Sequence, residues 1–277
     1  MDKTAVKTSK YNRVVLIPTD FSEVCENAIH HGMELARTLN YSVCILHVIN
    51  RESKSRLKKE NLTTDSINEK LAGYKNLYQT DDTLKVETIA REGSIFEVIR
   101  SVAEEVKANL MIMGTHGKKG LQYLFGSYAL RVVLDSPCPV VVVQKRSFGK
   151  GYHNIVFPVS NDLEVRQKVQ WAIMIAKLFG STIRLFQANE SDESLNQRIR
   201  FITSQITSMF DEKQVPYEIV LGEKKEDFAD QVVAYSIKTG CDMIMVMTVP
   251  QVDVPGFSVS AWDEKMMFNE AGIPVMC

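Results

Sequence analysis

Two short polar segments carry the residue types that can hold an anion. The first, Pro18-Thr19-Asp20-Phe21-Ser22, follows the apolar run Val14-Val15-Leu16-Ile17. Asp20 can accept hydrogen bonds from the sugar or base of a nucleotide, or it can close an Asx turn at a strand end. The second, Gly114-Thr115-His116-Gly117-Lys118-Lys119-Gly120, follows the run Leu110-Met111-Ile112-Met113. Its glycines can take φ > 0 and bring main-chain N–H groups close to a phosphate. Gly126-Ser127 then opens a helix, whose free N–H groups and positive dipole end add to the attraction. Ser127 would add a hydroxyl, Lys118 or Lys119 a charge, and His116 a donor. The same residues also suit a tight connection in which Ser127 caps its helix and the lysines and His116 are solvated. The pattern is neither G-x-x-x-x-G-K-[ST] nor G-x-G-x-x-G. No nucleophile elbow with a Ser-His-Asp set and no H-E-x-x-H occurs, so no catalytic constellation is expected.

For these segments to meet, the strands ahead of them must be neighbours. The continuous apolar run ending at Ile17 reads as a strand buried on both faces. Ser22 is the expected cap of a helix carrying Cys25, Ala28, Ile29, Leu35, Ala36 and Leu39. The strand Val43–Ile49 completes a βαβ unit, which implies parallel strands and a right-handed crossover. Within it, His47 reads as a packed, hydrogen-bonded strand histidine, with the Val48 backbone beside the pocket. Residues 51–80 read as one long, mostly exposed helix with a loop ahead of it. A strand at 86–90, a helix through Val106, the strand 110–113, a short helix through Leu134 and the strand 140–143 follow. Open parallel sheets bind ligands beyond the carboxyl ends of their strands, where the strand order reverses. In a domain wound from the middle that point lies between the first and fourth strands, so the two polar segments converge there.

The order then repeats. Ile155-Val156-Phe157-Pro158 matches Val15-Leu16-Ile17-Pro18 at an offset of 140, after a polar, glycine-containing linker at 144–153. A helix at 162–179, a strand at 182–188, a helix near 194–212, a strand at 217–221, a helix at 226–239 and a strand at 243–247 follow. Gly272-Ile273-Pro274-Val275 echoes the end of the first copy. A period near 140 exceeds the roughly 20–50 residues of solenoid repeats and reads as two copies of one α/β domain, 1–146 and 152–277. The second copy has Ser160 in place of Asp20, and Thr248 to Gly256 contains two prolines and no G-x-x-G, so it is expected to lack the phosphate site.

Composition narrows the classes. The chain has 277 residues, with 33 basic against 34 acidic and a formal charge of -1. Whole-chain electrostatic binding to nucleic acid is therefore not expected. No apolar run reaches the roughly 18–20 residues of a membrane span, and Met1-Asp2-Lys3-Thr4 starts no secretory signal, so a cytoplasmic protein without a membrane partner is expected. Five cysteines, far apart and without C-x-x-C, read as small buried hydrophobes. The alternate methionines Met243, Met245 and Met247 read as core filler.

Pro18-Thr19-Asp20-Phe21-Ser22, Gly114-Thr115-His116-Gly117, Gly126-Ser127 and Ser136-Pro137-Cys138-Pro139-Val140-Val141-Val142-Val143 together resemble the universal stress proteins in their tandem two-domain form. The resemblance implies two Rossmann-like (adenine nucleotide alpha hydrolase-like) domains. Each would be a five-stranded parallel sheet of order 3-2-1-4-5 with helices on both faces. It implies a stress-response protein binding ATP, ADP or AMP and acting by regulation or protection. The alternatives are a slow ATPase, which would need Mg²⁺, and an interaction module with vestigial sites. The implied nucleotide contacts are Pro18, Thr19 and Asp20 near the base or ribose, Val48 beside the adenine, and Met113 and Gly114 at the end of strand four. His116, Gly117, Gly126, Ser127 and Tyr128 would surround the phosphates. ATP-binding members carry G-x-x-G, nine residues, then G-[ST]. Here eight residues separate Gly117 from Gly126, and which nucleotide is held stays open. The apolar strands at 140–143 and 274–276 would be sheet edges, which tend to pair. The resemblance implies that they join the halves into an intrachain pseudo-dimer, and two chains can associate further as a homodimer.

Overall fold

The β-branched runs form strands because both of their faces are covered. In the computed structural model, residues 13–80, 83–115, 125–161, 168–224, 227–246 and 261–277 are described. The first half runs β1 (Val14–Pro18), α1 (Glu23–Leu39), β2 (Ser42–Ile49), α2 (Arg51–Lys59), α3 (Asp65–Tyr78), β3 (Val86–Glu92), α4 (Ile95–Glu105), β4 (Ala108–Gly114), α5 (Phe125–Leu134) and β5 (Val140–Val143). The second runs β6 (Asn154–Val159), α6 (Val169–Phe179), β7 (Thr182–Gln187), α7 (Glu193–Lys213), β8 (Tyr217–Leu221), α8 (Phe228–Lys238), β9 (Met243–Met245), α9 (Ala261–Met267) and β10 (Val275–Met276).

All the strands join one sheet of order β3-β2-β1-β4-β5-β10-β9-β6-β7-β8, so each half has the order 3-2-1-4-5. Pairing is parallel within each half. Alternation assigns the faces: Val15 and Ile17 enter a core with Ala28 and Ile29 of α1, and Leu16 enters another with Val98 and Val102 of α4 and Val133 of α5. The halves meet where β5 and β10 pair antiparallel, Val142 opposite Val275 and Val141 opposite Met276. Val140 and Cys277 exchange two hydrogen bonds of 3.0 and 2.8 Å one residue on, which gives this seam an approximate two-fold centred on Val141 and Met276.

The repeat is visible in the backbone. Pro18 pairs with Leu46 and Pro158 with Phe186, both 140 apart. Asn40 ends α1 at φ 55° and Gly180 ends α6 at φ 64°, the left-handed C-terminal stop in both copies.

Three expectations change. The single helix over 51–80 is two, because Asn61 at φ 54° turns the chain between α2 and α3. Residues 144–153 are no loose linker: Asn27 of α1 donates to the carbonyls of Gln144 and Arg146 at 2.6 and 2.8 Å, and Gln144 donates to Asn269 O at 3.0 Å. Ser22 holds the cap position of α1, but its hydroxyl makes no capping bond. Cys25, Cys44 and Cys241 are buried as expected, whereas Cys138 and Cys277 are partly exposed. Met243 and Met245 are fully buried, and Met247 lies outside the described residues.

Candidate functional site

At the carboxyl ends of β1 and β4, where the strand order reverses, the first half opens a cleft of about 670 Å³. That volume falls in the range of roughly 300–1,000 Å³ that holds small ligands. Pro18, Thr19, Asp20, Val48, Met113 and Gly114 all line it, so the strand geometry brings these six together. His116 and Gly117 lie outside the described residues, as do the side chains of Ser127 and Tyr128. The backbone of Gly126, Ser127 and Tyr128 forms the first turn of α5.

The floor is a tight turn. Asp20 Oδ1 accepts the Ser22 N–H at 2.9 Å, the Asx turn that was one of its two readings. Thr19 Oγ1 accepts the Phe21 N–H at 3.0 Å, and the Thr19 N–H donates to Leu46 O at 2.8 Å. His47 packs as a strand histidine should. Its Nδ1 lies 2.8 Å from Thr19 O, and since a carbonyl only accepts, Nδ1 carries the proton. Its Nε2 lies 3.3 Å from Ser53 Oγ, on α2. Burial and the Arg56 and Lys70 charges pull this imidazole below its ordinary value, against the Thr19 hydrogen bond and the Asp20 charge.

Gly114 corrects an expectation. It lies at the end of β4 without positive φ, opposite Val143. A Cβ there would stand 2.6 Å from Val24 O and 2.9 Å from Cys25 N. Glycine is needed here so that the first turn of α1 can pack against the end of β4, rather than for a left-handed turn. Cys25 in that turn also lines the cleft, and burial with the nearby Asp20 charge pushes its thiol up to about 12.

Sequence reasoning missed the contribution of α2 and α4. Asn50 caps α2 by accepting the Ser53 N–H at 2.8 Å, and Arg51, Glu52 and Arg56 line the cleft. Arg56 Nη1 donates to Asp20 O at 3.3 Å, and Lys54 pairs with Glu92 at the end of β3. Ser94, Ile95 and Phe96 bring the start of α4 to the opposite wall. The available signals were Asn50 and Ser94, each a capping residue just beyond a strand, because parallel strands aim every following helix N-terminus at this edge. Among the described residues no cluster of three His, Cys, Asp or Glu forms a metal cage, and no helix is long and apolar enough to cross a membrane.

A doubly wound α/β chain with a ligand-sized cleft at its switch point defines a Rossmann-like class of protein, and comparison identifies the family within it. Residues 12–144 match the model of the universal stress protein family. Universal stress protein MJ0531 of Methanocaldococcus jannaschii is 34% identical over 143 residues, covering 49% of this chain and 83% of that protein. Universal stress protein MJ0577 of the same organism is 32% identical over 155 residues, covering 48% and 95%. The chain belongs to the universal stress protein family. A universal stress protein structure from Archaeoglobus fulgidus aligns over 96% of this chain and 98% of its own at 15% identity and a TM-score of 0.72, so the fold likeness extends through both halves.

Proposed function

We propose that the first half, residues 1–146, binds an adenine nucleotide and that the second, 152–277, has lost the phosphate site and serves a structural or regulatory role. The observation that carries this reading is the cleft between the ends of β1 and β4. It joins an acidic turn (Thr19, Asp20), the end of β2 (Val48) and the start of the glycine segment (Gly114, Thr115) in one ligand-sized space. Apolar side chains such as Val48, Ile95, Phe96 and Met113 share its lining with polar and charged ones such as Asp20, Arg51, Arg56 and Thr115, which suits a ligand with an apolar ring and polar substituents. The glycine pattern of 114–127 supports the phosphate end, and its loss at 248–256 supports a single site per chain. With no acidic cage among the described residues, Mg²⁺ would enter on the nucleotide's phosphates. The role is regulatory or protective, and the seam at β5 and β10 makes the chain an intrachain counterpart of a dimer.

Calorimetric titration of the full chain with ATP, ADP and AMP, with and without Mg²⁺, tests the reading. One nucleotide per chain is expected, with binding weakened in Asp20→Ala. At hundredfold excess over Kd, binding should stabilise the fold by roughly 2.7 kcal/mol. No heat and no thermal shift with any of the three would refute it, and two equivalent sites would refute the assignment of the second half. Phosphate release above background, lost in Asp20→Ala, would convert the reading to an ATPase.

A further inference from the structure

Phe21 stands at φ 66°, in the left-handed region. For a bulky aromatic residue this is a genuine outlier, and such strain persists only where the surroundings over-determine it. The surroundings here are specific. The Phe21 ring lies on His47 with centroids 4.4 Å apart and planes 18° apart. Tyr74 of α3 lies beyond its ring at 6.2 Å and 15°, and Lys70 Nζ stands 5.3 Å from its centroid. Its neighbours Asp20 and Ser22 line the cleft and Phe21 does not, so the inverted residue turns its ring away from the space that Asp20 faces. His47 is held on its own account by Thr19 O and Ser53 Oγ, so the ring under Phe21 also fixes the start of the turn.

The second half serves as an internal control. The register that equates Pro18 with Pro158 and Leu46 with Phe186 puts Asn161 at the place of Phe21 and Gln187 at that of His47. Gln187 donates to Thr203 Oγ1 of α7 at 2.6 Å, and Asn161 is not among the residues with positive φ. Among the described residues of this second strand end, through Asn161, neither the positive φ nor a ring stacked at the place of His47 recurs.

We propose that Phe21 is a positioning residue: stacked on His47, it holds the Thr19–Ser22 turn in the strained form that sets Asp20 into the cleft. As far as it concerns a ligand, this rests on the nucleotide reading above. The test uses the full chain with Phe21→Tyr, Phe21→Ala and Phe21→Gly. Two quantities are read: amide hydrogen exchange of the 19–25 segment without ligand, and ATP affinity by calorimetry. Phe21→Tyr keeps the ring and should match the parent in both. Phe21→Ala should exchange faster in 19–25, with β6–β8 unchanged, and bind ATP about tenfold more weakly, which corresponds to roughly 1.4 kcal/mol. Phe21→Gly accepts φ 66° freely and stays testable should the alanine variant fail to fold. It should move both readouts the same way, because the ring and not the angle holds the turn. Parental exchange and affinity in Phe21→Ala or Phe21→Gly would overturn the proposal, as would a loss in Phe21→Tyr equal to that in Phe21→Ala. If the parent chain binds ADP or AMP instead of ATP, the affinity arm uses that nucleotide; if it binds none of the three, the nucleotide reading falls by itself. The exchange arm then decides alone: faster exchange upholds the clasp and unchanged exchange overturns it.

Discussion

His31 of α1 and Tyr152, ahead of β6, meet across the boundary between the halves. Nδ1 and the hydroxyl are 3.1 Å apart, with both residues shut off from solvent. His31 Nε2 lies 2.9 Å from Arg146 O. Because that carbonyl only accepts, Nε2 carries the proton and Nδ1 accepts from Tyr152. A second ring proton would reverse this contact, with Nδ1 donating to the Tyr152 oxygen and the tyrosine's own proton needing another acceptor, and it would bury a charge between the halves, so the packing favours the neutral imidazole.

The seam should therefore be acid-labile. Burial pulls His31 down from 6.5 to about 4, with the Arg146 carbonyl opposing. Between these two values the unfolded chain holds the proton and the folded chain does not, so stability rises with pH across the window and is lost on acidification. The loss is on the order of 3 kcal/mol from one site by pH 4. Urea melts at pH 7 and pH 4.5 should show it. His31→Asn should be less stable at pH 7 but lose less between the two pH values. An unchanged pH difference in that variant would dismiss His31 as the titrating group.

Asn27→Ala tests the other grip on the strap that residues 144–153 form between the halves. The Asn27 amide serves two carbonyls, Gln144 O and Arg146 O, and no apolar side chain can replace it. The variant takes this partner from Gln144 O and leaves Arg146 O with the His31 Nε2 proton, a loss of about 1–3 kcal/mol. Denaturant melts should show that loss, and amide exchange should rise in 144–152 before it rises in β1 or β6. Uniform exchange across the chain would mean the strap is held elsewhere.

The strap also shows what the sequence could and could not convey. Its glycines and polar residues read as a linker because turn chemistry is local, whereas its partners Asn27, His31, Asp242 and Asn269 are distant in the chain. The strands were legible because burial on both faces leaves a continuous apolar run, as at Val140–Val143. Six cleft residues were legible because they end such runs. Arg51 and Arg56 were not: on a polar helix a residue facing a cleft and one facing water look alike. Nor was the Phe21 conformation, since nothing in its residue type announces a positive φ.

The thiols should divide by burial. Cys25 and Cys44 are pushed up to about 12 and Cys241 to about 11, chiefly by burial. The thiolate is the nucleophile, so none of the three should react in the folded chain at pH 8. Maleimide labelling followed by peptide mass analysis should find modification confined to Cys138 and Cys277, with the rest labelled only after denaturation. Rapid native labelling of Cys25 would mean the cleft floor opens.

Gly114→Ala should couple stability to the cleft. The added Cβ would meet the α1 backbone at Val24 O and Cys25 N, which cannot rotate aside as a side chain could. Either α1 lifts off β4 or β4 shifts in the sheet, and overpacking of this kind costs roughly 1–3 kcal/mol. The first turn of α1 follows directly on the Asp20–Ser22 turn, so the displacement reaches the cleft floor. Thermal melts should fall, and ATP affinity should fall further than in a distant control of equal stability cost, such as Gly180→Ala. There the left-handed C-terminal stop of α6 at φ 64° is strained, but nothing stands within 4 Å. Equal affinity in the two variants would detach the β4–α1 contact from the site.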